Sequence, residues 1–78
     1  MLAGQYQAAI PVLRRAVATA DRSSLTYAFA LYDLGRSLRL NGDPRAAIPI
    51  LRKRLEIPDQ RDVVKAELDA AIREASKH

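Results

Sequence analysis

Two stretches of this chain are near copies of each other: "GQYQAAIPVLRRAV" (Gly4 to Val17) and "GDPRAAIPILRKRL" (Gly42 to Leu55). At an offset of 38 positions, Gly, Ala-Ala-Ile-Pro, Leu and Arg fall on identical residues. A period of this length made of helical segments points to a repeat architecture, in which each unit buries its apolar face against the next. The constraint is strong because the chain has only 78 residues, near the size at which one small core is marginally stable.

Periodicity is helical throughout and no strand pattern is present. From Gln5 to Ala20 the residues Ala9, Ile10, Leu13, Ala16, Val17 and Ala20 recur at spacings of three and four, which makes one apolar helix face. "DRSS" (Asp21 to Ser24) gives a polar loop with Ser24 placed to cap the next helix. That second helix spans about 25–41, with Leu25, Ala28, Leu31, Leu34, Gly35 and Leu38 inward. At "NGDP", Asn41 and Gly42 suit a left-handed C-cap, Asp43 can cap the following helix and Pro44 fits its first turn. A third helix over 44–56 carries Ala47, Ile48, Leu51 and Leu55 inward. A fourth over 60–76 carries Val64, Leu68, Ala71, Ile72 and Ala75. Short connections make neighbouring helices antiparallel, so the fold class is all-α, a single domain over residues 1–78. Pro11 and Pro49 sit at the same phase of both copies, inside a helix, where proline removes a backbone hydrogen bond. The expectation is a local kink at each, because near an N-terminus the amides have no intrahelical partner.

Composition excludes several functions. The chain has no Cys, and its one His is the last residue, His78, so it offers no thiol nucleophile, no cysteine zinc site and no internal imidazole. No HExxH, P-loop or GxSxG motif occurs, and Asp33, Asp43 and Asp59 fit caps and helix surfaces; an enzyme, a metal site and a cofactor are therefore not expected. No apolar run reaches the roughly 20 residues needed to span a bilayer. With no signal-peptide pattern at the start either, the reading is cytoplasmic. Residues 1–58 carry nine bases and four acids, net +5, and residues 59–78 carry four bases and five acids, net −1. Arg52, Lys53 and Arg54, with Arg14 and Arg15 at equivalent positions, form the densest basic clusters. Adjacent residues on a helix point in different directions and no aromatics interleave with them, so nucleic acid is not the favoured partner; bases near a helix C-terminus also complement its dipole.

Over "LYDLGRSLRLNGDPRAAIPILRKRLEI" the chain resembles the tetratricopeptide repeat family. Leu31 holds the position where that family usually has Trp, Leu34-Gly35 match its Leu-Gly pair, and Leu38 replaces its Tyr. Gly42-Asp43 match its turn, Ala47 its small residue on the second helix, and Leu51 a position where Phe or Tyr is common. The departures are Arg54 at a usually small position, Pro58 one residue early, and Leu in place of aromatics. The resemblance implies an α-solenoid of antiparallel hairpins: 5–20 as the second helix of a truncated repeat, 25–57 as a full repeat and 59–76 as a capping helix. "MLAGQYQ" then reads as the tail of an earlier helix, in an excised segment or a short diverged array. In bacteria such repeats often sit beside kinase, regulator or enzyme domains.

The resemblance also implies a non-catalytic scaffold for protein contacts. Phe29, Tyr32, Arg36 and Arg39, spaced 3, 4 and 3, form one stripe of the second helix, roughly opposite Leu34 and Leu38. In this family that face lines the concave groove that takes extended peptides. Tyr32 then supplies flat contact, and Arg36 and Arg39 hold a carboxylate, making the expected partner a protein or an acidic peptide. Relatives that grip a C-terminal carboxylate usually have Lys at the position of Tyr32, which argues against that particular clamp. A solvated amphipathic face is the plainer account of the stripe, with Asp33 pairing with Arg36 or Ser37. The alternative function is homodimerisation through the uncovered face of the first helix, using Tyr6, Ile10, Leu13 and Val17. Leaving Ile10, Leu13 and Val17 half exposed forgoes roughly 1 kcal/mol or more each, since full burial contributes about 1.5–3 kcal/mol.

Overall fold

The structure, a computed structural model, describes residues 3–77, so Met1, Leu2 and the terminal His78 lie outside it. Four helices follow one another: α1 Ala3–Thr19, α2 Leu25–Leu40, α3 Pro44–Leu55 and α4 Arg61–Ser76. No strand occurs among the described residues. Seven of the eight helix boundaries fall within one residue of the sequence expectation; the exception is the start of α1, two residues earlier at Ala3. Both internal prolines lie within unbroken helix, Pro11 in α1 and Pro49 in α3.

The loops show why the helices begin and end where they do. Asp21 organises the first connection, its carboxylate accepting from the Ser23 amide (2.9 Å) and the Ser23 hydroxyl (2.7 Å). Those two bonds hold the Asp21 carboxyl below its ordinary value. Ser24 caps α2 as expected, accepting from the Tyr27 amide at 3.1 Å. At the end of α2 the Gly42 amide donates to the Arg39 carbonyl (3.1 Å) and the Asp43 amide to the Leu38 carbonyl (2.9 Å). This paired pattern is a Schellman C-cap, and it needs Gly42 at φ +91°, in the left-handed region. Asp43 then starts α3, its side chain accepting from the Ala46 amide at 3.3 Å. One residue thus closes one helix with its backbone and opens the next with its side chain. No such device opens α4: Gln60 stands at its N-cap with φ 52° and no side-chain cap bond.

Sequential helices pack on one another, and α2 also touches α4; α1 rests on α2 alone. The core is Leu34, Leu38, Ala47, Leu51, Leu68 and Ala71, joined by fully buried Leu31 and Val64. Gly35 and Ala47 allow α2 and α3 to approach closely at its centre; a Cβ on Gly35 would lie 2.5 Å from Leu51 Cδ2.

Two inward positions read from periodicity are corrected. Leu25 is 67% exposed because it is the first residue of α2, before the neighbouring helices reach it. Ile72 is 37% exposed because α4 leans mainly on α3 and buries only the narrow set Val64, Glu67, Leu68 and Ala71. Ile48, Leu55 and Ala75 are half-buried. Tyr27, Ala30, Ser37, Arg54 and Glu67 are buried without having been expected. Ile10, Leu13 and Val17 are half-buried, packed against the core, and no described side chain of α1 is fully buried.

Candidate functional site

The four residues of the predicted stripe do not converge on one site. Phe29 (58% exposed) and half-buried Tyr32 line a cleft of about 240 Å³ between α2 and α4, together with Asp33, Arg54, Gln60, Val63 and Val64. Arg36 faces a different recess, a groove of about 640 Å³ between α1 and α2, lined also by Gln5, Tyr6, Ala8, Ala9, Val12, Leu13, Asp33 and Ser37. Asp33 stands on the ridge between the two.

Arg39 already holds carboxylates, and they belong to its own chain. Its Nε donates to Glu67 Oε2, its Nη2 to Glu67 Oε1 (3.4 Å) and its Nη1 to Glu74 Oε2 (2.7 Å). Glu67 is buried and Arg39 is half-buried, so the network ties α2 to α4 where the two helices share few other contacts. The hydrogen bond it donates to Glu67 pushes Arg39 above its ordinary value, against the lowering by burial. The guanidinium read as a holder of a partner's carboxylate thus pairs here with carboxylates of its own chain.

Of the four self-association candidates, Tyr6 and Leu13 line the α1–α2 groove, and Ile10, Leu13 and Val17 pack against the molecule's own core. The most exposed large apolar side chain of α1 is Val12, at 68%, which sequence periodicity did not single out.

The basic cluster is also divided. Arg52 and Lys53 are exposed, while Arg54 is only 4% exposed and lies against the α2–α4 cleft. Its Nη1 donates to the Ile57 carbonyl at 3.3 Å, its Nη2 is 3.9 Å from Asp59 Oδ2, and its Nε has no acceptor. The signal for Arg54 was present as a departure from the usual small residue at that position. The signal for Glu67 was a charge on the apolar phase of α4, three residues after Val64 and four before Ala71. Among the described residues, no group of three or more His, Cys, Asp or Glu side chains could hold a metal ion. Among them too, no helix is long and apolar enough to cross a membrane.

Antiparallel helical hairpins packed in sequence, with a glycine and an alanine at the closest crossing, define the helical-repeat class of interaction proteins. Within that class, a tetratricopeptide repeat model matches residues 1–60, and the chain belongs to the tetratricopeptide repeat family. The repeats of this family are generally non-catalytic modules for protein–protein interaction. No curated protein and no solved structure gave a significant match to the chain.

Proposed function

We propose that this chain is a scaffold module that takes an extended peptide along the outer face of α2, with Phe29 and Tyr32 as apolar anchors and Arg36 at the far end. In this reading α1 is the second helix of a repeat, α2 and α3 form a complete repeat, and residues 59–76 form a closing helix. The observation that carries it is Phe29. α2 is the most buried helix of the molecule, yet it presents a large aromatic side chain to solvent at the mouth of a cleft. Aromatic residues at such positions are enriched among the few that dominate binding energy.

The test is selection of binders from a displayed library of random ten-residue peptides, followed by affinity measurement on variants. Phe29→Ser should weaken the selected peptides by about tenfold or more, the usual cost of losing an aromatic anchor. Val12→Lys, on α1, should leave them unchanged. Binders that tolerate Phe29→Ser and are lost with Val12→Lys would move the interface to the α1 side.

A second reading, self-association through α1, is favoured by one specific observation: none of the described α1 side chains is fully buried, and the α1–α2 groove is open beside Val12. A symmetric pair of α1 helices would cover Tyr6, Val12 and Leu13 together. Light scattering after size exclusion over a hundredfold concentration range decides it. A dimer that Val12→Lys dissociates supports the reading, and a monomer at every concentration removes it. Val12 is the better probe than Leu13, whose substitution would also damage the core it packs on.

A further inference from the structure

We infer that Arg54 is the anion-holding residue of the α2–α4 cleft, and that the cleft takes the carboxylate of an acidic peptide residue flanked by apolar side chains. This deepens the peptide reading above and rests on it. Arg54 comes from α3, reaches the cleft from behind and is almost wholly removed from solvent. A guanidinium carries five N–H donors. Here one bond to the Ile57 carbonyl is made, the Nε has no acceptor, and the one carboxylate paired with it, Asp59, stands 3.9 Å away, too far for a hydrogen bond. Burying a charge with so few partners is unfavourable, and a carboxylate entering beside it relieves that cost with charge-assisted, potentially bidentate bonds.

The walls select what else enters. Phe29, Tyr32, Val63 and Val64 make the sides apolar, Gln60 offers an amide that caps nothing in its own helix, and a volume of about 240 Å³ suits one side chain. Asp33 on the rim carries negative charge, which disfavours a dianionic phosphate more than a carboxylate. Arg39, by contrast, already commits three of its five donors to Glu67 and Glu74. Asp59 has an exposed side chain at the edge of the same guanidinium, so it competes with the incoming group.

The test uses the whole chain labelled with ¹⁵N, reading the Arg54 Nε–H resonance during titration with three short probes. These are acetyl-Leu-Glu-Leu-amide, its Gln counterpart, and acetyl-Leu-Gln-Leu with a free C-terminal carboxylate. The Glu probe should bind about tenfold tighter than the Gln amide, the value of a charge-assisted hydrogen bond, and should shift the Arg54 Nε–H. Strength from the third probe instead assigns the carboxylate to a chain terminus. Asp59→Asn, a substitution on the exposed surface, should tighten the Glu probe. Arg54→Met, which preserves volume, should reduce the Glu-to-Gln ratio to about one while Phe29-dependent binding persists. Equal binding of all three probes, lost with Phe29→Ser, would overturn the role of Arg54 and leave the peptide groove standing. Absence of binding by every probe would overturn the role of Arg54, while the peptide reading falls only if the ten-residue library also yields no Phe29-dependent binder.

Discussion

Arg39→Met should destabilise the fold by about 3 kcal/mol, toward the lower end of the 3–5 kcal/mol seen when one partner of a buried ion pair is removed. The reason is Glu67, which is buried and takes two of the three hydrogen bonds that Arg39 donates to carboxylates. Truncation leaves that carboxylate facing α2 with no cation, and desolvation then opposes the folded state. Glu74 is more exposed, with 39% of its side chain accessible, so water can replace its bond and its loss adds little. The double variant Arg39→Met with Glu67→Met should recover most of the loss, because apolar replacement of a whole buried pair is often neutral or better. Urea unfolding followed by circular dichroism measures both. A single-variant effect below about 0.5 kcal/mol would mean the network behaves as a solvated surface pair. The sign with pH follows from Arg39 itself. Its value is raised in the folded state, so its contribution is complete below the unfolded value and is lost only as pH rises through the folded one. Across the neutral range the arginine side of the network holds its contribution constant.

Leu51→Ala should cost about 2–5 kcal/mol, the usual range for opening a cavity in a fixed core. Leu51 is fully buried at the point where α2 and α3 cross, and its isobutyl group fills the space left by the missing side chain of Gly35. Gly35→Ala approaches the same contact from the other side. A Cβ there would lie 2.5 Å from Leu51 Cδ2 and 2.6 Å from its Cγ, closer than packed carbons tolerate. Helix propensity alone would make Ala better than Gly by about 0.8–1 kcal/mol. Overpacking of about 1–3 kcal/mol outweighs it, so the net effect is destabilising. The decisive measurement is the double-mutant cycle. With Leu51 cut back to Ala the collision disappears, and Gly35→Ala should become neutral or stabilising in that background. Additive costs would place the strain elsewhere.

What could be read in the chain beforehand divides along a physical line. Ser24, Gly42 and Asp43 were legible because capping is local chemistry, settled within three or four residues. Leu34, Gly35, Ala47 and Leu51 were legible because their spacing fixes a helix face and the echo between residues 4–17 and 42–55 fixes the pairing. Leu25 and Ile72 were misread because periodicity gives the phase of a face and says nothing of where a neighbouring helix stops. Arg39 belongs with Phe29 and Tyr32 by helical phase. Its carboxylates, however, come from residues 28 and 35 positions further along, a separation beyond any sequence window. Arg54 was visible only as an oddity, a long cation where the repeat pattern wants a small side chain. The cleft that gives it meaning exists only once α4 has folded back.

The connection between α2 and α3 carries a consequence for the order in which the molecule assembles. Asn41, Gly42 and Asp43 join two helices whose closest contacts are near in sequence, so this hairpin closes a short loop, with little entropy to overcome. The central helices are flanked on both sides, whereas each outer helix is held mainly from one: α1 rests on α2, and α4 leans chiefly on α3. Opening is therefore expected to begin at the two ends, and amide hydrogen exchange should be slowest in the α2–α3 hairpin; uniform protection across all four helices would overturn this order.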